Sequence, residues 1–251
     1  SSGSVVAFHL VPAGLQSALN GTPAFVLKGH SGTIRCMLLT HAAGIGTDGW
    51  LLMSGGDDHT VRVWDPSAEV QEVCTLRGHS DAVSCLAYCE GVLVTASNDC
   101  TLRLWRHEEC HGLLFYPWLS PHTCHGAPIV TCTFSEWEHS AHHRVLLTAS
   151  EDRCFKLWSV VRDSSAREIA DHPRAGTADC FGDHVDGHVG DGDDGSGKVC
   201  VLLESSLPPG RAVVVSAALH PQLPQFLICD AQGVIHCYEL PRLRTSTGLA
   251  V

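Results

Sequence analysis

Gly78-His79-Ser80-Asp81-Ala82-Val83-Ser84-Cys85, followed by Leu93-Val94-Thr95-Ala96-Ser97-Asn98-Asp99-Cys100-Thr101-Leu102-Arg103-Leu104-Trp105, is the segment from which the architecture can be read. Leu102 and Leu104 alternate with Arg103, the period of a strand with one buried face. Ser97-Asn98-Asp99 is a turn-forming tract between that strand and the apolar run before it. Helical spacing is absent. On either side the pattern returns. Upstream stand Gly29-His30-Ser31-Gly32-Thr33-Ile34-Arg35-Cys36 and Leu51-Leu52-Met53-Ser54-Gly55-Gly56-Asp57-Asp58-His59-Thr60-Val61-Arg62-Val63-Trp64-Asp65. Downstream stand Cys124-His125 and Leu147-Thr148-Ala149-Ser150-Glu151-Asp152-Arg153-Cys154-Phe155-Lys156-Leu157-Trp158. In each, an Asp precedes the Trp by six positions and a Ser or Thr precedes that Asp by four. Self-similarity at a fixed period marks a repeat architecture.

Two weaker units flank these three. Near the C-terminus, Val213–Ala217, Phe226–Cys229 and Val234–Tyr238 read as three strands, with Tyr238 in the Trp place and Gln232 where the others have Asp. At the N-terminus, Gly3–Leu10 reads as a third strand with Phe8 in the Trp place, and Ala24–Leu27 as its outer strand.

The pattern resembles the WD-repeat family, whose Gly-His and Trp-Asp marks stand here as Gly29-His30 with Trp64-Asp65 and Gly78-His79 with Trp105. The resemblance covers residues 1–170 well and 210–242 loosely. It implies an all-β fold, a β-propeller of four-stranded antiparallel blades around a channel. About four blades and a partial one are expected in this chain, an incomplete propeller. The boundaries expected are a partial blade at 1–27, repeats at 28–77, 78–123 and 124–170, an insertion at 171–197, a degenerate repeat at 198–242 and a tail at 243–251. Residue 1 is Ser and not Met, and two readings stay open. Either the chain is a fragment of a longer protein, or the N-terminal strands complete the last blade and close a small ring.

The resemblance also implies a buried hydrogen-bonded tetrad per blade. Carried over, the sets are His30, Ser54, Asp58 and Trp64; His79, Thr95, Asp99 and Trp105; and His125, Thr148, Asp152 and Trp158. His–Asp–Ser also describes a hydrolase relay. Here the set recurs blade by blade and the hydroxyl is Thr in two of three, which favours structural pairing over a single activated nucleophile. Partner-contacting side chains of the family map onto Arg35 and Asp57, Ser84 and Asn98, and Thr131 and Glu151. With Asp57, Asn98 and Glu151 on one rim, a Lys- or Arg-bearing peptide is the favoured partner.

Composition narrows the function classes. Net charge is −11, and seven Asp against Arg174 place −6 of it between Asp171 and Gly197. A nucleic-acid binder would carry a basic patch, and none is visible. No apolar run approaches the roughly 20 residues of a membrane span, and the start is not a signal peptide. Thirteen cysteines, an odd number in a chain this long, read as reduced thiols in an intracellular compartment, cytoplasmic or nuclear. Cys36, Cys85 and Cys132 read as small core residues at like positions of the inner strands.

His107, Cys110, His111, His122, Cys124 and His125 crowd one segment, but zinc needs four ligands converging on one tetrahedron and His125 is committed to a tetrad. A calcium loop starting at Asp191 needs Gly sixth and Glu twelfth, and Ser196 and Leu202 stand there. No metal and no cofactor are expected. A nucleophile elbow, a phosphate loop, a dinucleotide motif and a metalloprotease motif are all read as absent. The expected function is a non-catalytic scaffold presenting propeller loops to other proteins, with no small-molecule substrate. One alternative is the substrate-receptor propeller of a ubiquitin ligase. Another is a metal-binding protein using the Cys/His-rich 107–125 segment.

Overall fold

A computed structural model of the chain describes residues 3–7, 25–41, 49–66, 72–107, 115–117, 122–135, 143–161, 198–208, 212–220 and 223–240. Every regular element among them is a strand. The first is a two-stranded antiparallel sheet of β1 (Ser4–Ala7) and β2 (Phe25–Lys28). A four-stranded sheet follows, in the order β3 (Ile34–His41), β4 (Trp50–Gly56), β5 (Val61–Trp64) and β6 (Glu72–Leu76). The next runs β7 (Val83–Cys89), β8 (Val92–Ser97), β9 (Thr101–His107) and β10 (Phe115–Pro117), with the short β11 (His122–Thr123) also on β9. The third runs β12 (Ile129–Phe134), β13 (His143–Ser150), β14 (Cys154–Val161) and β15 (Lys198–Ser206). The last has β16 (Val214–Leu219), β17 (Gln225–Asp230) and β18 (Ile235–Glu239).

The inner strands stand side by side in chain order, β3 against β7, β7 against β12 and β12 against β16. This is a run of propeller blades. Strand alternation gives each sheet two faces, and the core lies between consecutive sheets. Met53, Val61 and Val63 of one blade meet Val83, Leu93 and Trp105 of the next. Val94, Leu102 and Leu104 meet Ile129, Leu146 and Trp158. Leu147, Phe155 and Leu157 meet Val214, Phe226 and Ile228.

Two expectations change. Residues 198–206, expected in the degenerate C-terminal repeat, form β15, which pairs with β14 along its length and supplies the outer strand of the third blade. The acidic stretch 171–197 therefore falls inside that blade's connection; it and the tail at 243–251 lie outside the described residues, as does Phe8. Nor, among the described residues, do the N-terminal strands join the last blade. β1 and β2 pair with each other, and Val5 and Leu27 pack on Trp64 of the first full blade.

Each inner strand carries a bulge at the same place, between Ile34 and Cys36, Val83 and Cys85, Ile129 and Thr131, and Val214 and Ser216. Each turn between second and third strands places one residue in the left-handed region: His59 (φ 62), Cys100 (φ 66), Arg153 (φ 68) and Gly233 (φ 80). Only the last is glycine, the residue that adopts this backbone without cost. A β-branched side chain tolerates it worst. Arg153→Gly is therefore expected to leave stability unchanged or raise it by up to about 1 kcal/mol, and Arg153→Val to lower it by about 1–2 kcal/mol. Urea unfolding of both variants checks this; equal midpoints would contradict it.

Candidate functional site

The polar residues that the family resemblance assigns to tetrads assemble as three copies of one network at the blade rims. In the first blade, His30 reaches Asp58 through Nδ1 (2.9 Å) and Ser54 Oγ through Nε2 (2.8 Å), and Trp64 Nε1 donates to the same Oγ (2.9 Å). In the second, His79 meets Asp99 (2.9 Å) and Thr95 (2.8 Å), and Trp105 donates to Thr95 (3.1 Å). In the third, His125 meets Asp152 (3.2 Å) and Thr148 (3.0 Å), and Trp158 donates to Thr148 (2.9 Å). With the ring neutral, the chain runs one way: Trp N–H to hydroxyl, hydroxyl to Nε2, Nδ1–H to carboxylate.

The carboxylate is the hub. Asp58 also accepts from the Ser31 amide and from the amide and hydroxyl of Thr60. Asp99 does the same with Ser80 and Thr101, and Asp152 accepts from the Gly126 and Cys154 amides. Burial pushes the Asp58 and Asp99 carboxyls up, but these donors and the imidazole outweigh it and hold both at about 2. Asp152 is likewise held below the ordinary range, burial being outweighed by His125 and the two amides. Burial drives the His79 ring down, with Asp99 opposing.

Ser54, Thr95 and Thr148 are fully buried. A hydroxyl that substrate cannot reach is no nucleophile, whatever its neighbours. The network instead ties the entry loop, second strand, hairpin turn and third strand of each blade together. The last sheet lacks it: Ile228 takes the hydroxyl place and Tyr238 the Trp place, stacking on Phe226 (5.2 Å) and meeting Phe155 at a tilt (4.9 Å). Asp230 holds that turn, accepting from the Gln232 and Val234 amides and meeting His236.

The rim residues divide. Asp57, Asn98 and Glu151 each directly precede a network Asp; Asn98 and Glu151 are exposed, and Asp57 is partly so. Arg35 occupies a bulge and grips Asp57 at both oxygens (2.6 and 3.2 Å), which holds that carboxyl below its usual range. Ser84, at the equivalent bulge, turns inward, its hydroxyl donating to the carbonyls of Ala96 and of Ile129 on the next blade. Thr131 is not their equivalent. It pairs with Ala149, as Cys36 pairs with Gly55 and Cys85 with Ala96, and Val130 fills the bulge. Cys132 consequently stands one residue beyond Cys36 and Cys85. Counting five residues from each His would have found Val130.

Cys36 and Cys124 are poor nucleophiles, since burial pushes their thiols up to about 12. Among the described residues no group of three or more His, Cys, Asp and Glu is placed to hold a metal. Two of the enzyme motifs read as absent nonetheless occur literally in the sequence. His107-Glu108-Glu109-Cys110-His111 has the metalloprotease spacing, which needs a helix to bring both His to one face. His107 ends strand β9, and residues 108–111 lie outside the described residues. Gly190-x-Gly192-x-x-Gly195 lies wholly outside them.

Comparison with known proteins agrees with this geometry. The family model for the WD domain, G-beta repeat, matches residues 21–65, 70–106 and 119–159. Mitochondrial division protein 1 of Schizosaccharomyces pombe is 30% identical over 175 residues, 62% of this chain and 25% of that protein. Transducin beta-like protein 3 of Mus musculus is 29% identical over 126 residues, 45% of this chain and 15% of that one. The Denticleless protein homolog of Danio rerio is 34% identical over 93 residues, 36% of this chain and 14% of that one. The chain thus spans a quarter or less of these relatives. Among solved structures, a chain of the mitotic checkpoint complex superposes with a TM-score of 0.57 at 14% identity, over 88% of this chain and 53% of that one.

Two tests follow from the network. Thr95→Val orphans the Trp105 N–H and His79 Nε2, and is expected to cost about 1–3 kcal/mol, with Thr95→Ser close to wild type. Thermal unfolding reads both. Asp58 and Asp99 sit at about 2 when folded, against an ordinary value near 4. Their depressed values contribute stability above pH 4 that is lost as pH falls towards 2. A urea midpoint that does not move between pH 4.5 and pH 2.5 would contradict the assignment.

Proposed function

Since the chain belongs to the WD-repeat family, we propose that it is a non-catalytic scaffold whose rim loops hold partner proteins within a larger assembly. The observation that carries the reading is a side chain repeated at one place on three consecutive blades. Asp57, Asn98 and Glu151 stand on turns whose shape the buried networks fix. Rigid loops on a packed scaffold are what binding sites are commonly built from. The same network commits the imidazoles of His30, His79 and His125 and the hydroxyls of Ser54, Thr95 and Thr148 to holding the blades. Determination of a related fold within the mitotic checkpoint complex is consistent with a role in assemblies.

The chemistry of the rim favours a basic partner. Glu151 is exposed with its charge available, and Asp57 is shared with Arg35, so an incoming Lys or Arg competes with a side chain of the same charge. Solvated pairs of this kind exchange readily. Ser84 belongs to the blade-to-blade contact and is left out of the binding surface.

The chain should bind an array of Lys- and Arg-bearing peptides above their Ala-substituted forms. Asp57→Lys combined with Glu151→Lys should weaken that binding about tenfold or more by reversing the rim charge, with the unfolding midpoint unchanged. Equal binding of both peptide sets, or a variant that binds like wild type, would sink the basic-partner reading. Turnover of a small substrate by the purified chain would sink the scaffold itself.

A further inference from the structure

The scaffold reading gives the cysteines no task, yet their places in the blades are not equivalent. Consecutive residues on an inner strand point opposite ways. Cys36 and Cys85 hold the place that faces the following blade, each packing into the core shared with it. The next place faces the preceding blade, and on β7 it holds Leu86, paired to Thr95. Cys132 holds that second place on β12, by its pairing to Thr148. Its shift by one residue therefore turns the thiol back towards the second blade.

Across a junction the two places oppose each other. Between β3 and β7 they hold Cys36 and Leu86, and between β12 and β16 they hold Thr131 and Ala217. Between β7 and β12 they hold Cys85 and Cys132, the one junction among the described residues with sulfur at both. The contact is direct. Cys132 is buried in the core that Cys85 packs against, and the two thiols are hydrogen-bonded. Beside them the strands are tied by the Ser84 hydroxyl, which donates to the Ile129 carbonyl. The bond from Cys85, together with burial, pushes the Cys132 thiol up. Cys85 is only partly buried, and both are free thiols.

We propose that Cys85 and Cys132 are a redox pair that hydrogen peroxide closes, within the native fold, into a disulfide between the second and third blades. The partly exposed sulfur reacts first. The Cys85 thiolate attacks one peroxide oxygen, the O–O bond breaks, and hydroxide leaves with the thiol proton as water. Cys85 is then a sulfenic acid. The Cys132 sulfur attacks the Cys85 sulfur, the S–O bond breaks, and the second hydroxide takes the Cys132 proton as water. Two thiols and one peroxide give one disulfide and two waters, the sulfurs supplying both electrons. A dithiol reductant reverses the bond by exchange. The high-lying Cys132 thiol makes it a slow nucleophile, and its permanent place against Cys85 offsets that. The disulfide would join two strands that do not share a sheet, so it staples one blade to the next.

Peptide mapping of the 251-residue chain after peroxide treatment, with remaining thiols alkylated in denaturant, is the test. A Cys85–Cys132 peptide is expected as the main crosslink, lost on treatment with dithiothreitol. The oxidised chain should melt at least about 4 °C higher, because the crosslink restricts the unfolded chain. Cys132→Ala should leave Cys85 as a sulfenic acid that dimedone labels, and Cys36→Ala should leave the crosslink as it is. The mapping on the unsubstituted chain stands by itself if Cys132→Ala fails to fold. Both sulfurs still alkylated after treatment, or Cys85 bound to another cysteine instead, would overturn the proposal. A crosslink that lowers the melting temperature would overturn it as well, since the bond would not fit the native junction.

Discussion

A buried imidazole held between a carboxylate and a hydroxyl is the interaction on which the blades depend. Each joins parts of the chain that are far apart in sequence, His30 to Asp58, His79 to Asp99 and His125 to Asp152. Burying such groups is costly unless every donor and acceptor is matched. Here the Trp N–H, the hydroxyl, the ring and the turn amides close the account. A partly broken network would be worse than an apolar core, so it fixes one arrangement of strand, turn and entry loop. The rim inherits that rigidity, which lets three turns present side chains at corresponding places.

The fold was legible because its signals are polar and rigidly spaced. An Asp six residues before a Trp, with a hydroxyl four before that, leaves little room for another arrangement. The alternation of Leu102, Arg103 and Leu104 then states which face is buried. Outer strands are harder to see. β15 pairs along its length with β14 but stands beyond a long acidic stretch and carries no Trp, Asp or Gly-His mark, so its sequence attached it to the wrong unit.

The candidate site was legible in part. Networks transfer well by position because their partners must all be present. Surface residues have no such check, and matching Thr131 and Cys132 to the earlier blades by residue type shifted them by one. In a strand one position means the opposite face. The bulge adds to the difficulty by putting two residues where the partner strand has one. Whether a rim hydroxyl faces solvent or a neighbouring blade, as at Ser84, depends on a carbonyl from another strand that no local pattern reveals.

The connection from β14 to β15 spans residues 162–197, yet the two strands it joins pair along their length, with one bulge, and complete a sheet. For a flexible chain, closing a loop grows costlier only with the logarithm of its length, about 0.6 kcal/mol for each doubling. In the third blade the sheet is closed by the β14–β15 pairing itself, whatever number of residues runs between those strands. Sequence can lengthen, shorten or diversify there while the sheet is kept, which makes this outer edge the point at which new segments can be grafted onto the propeller.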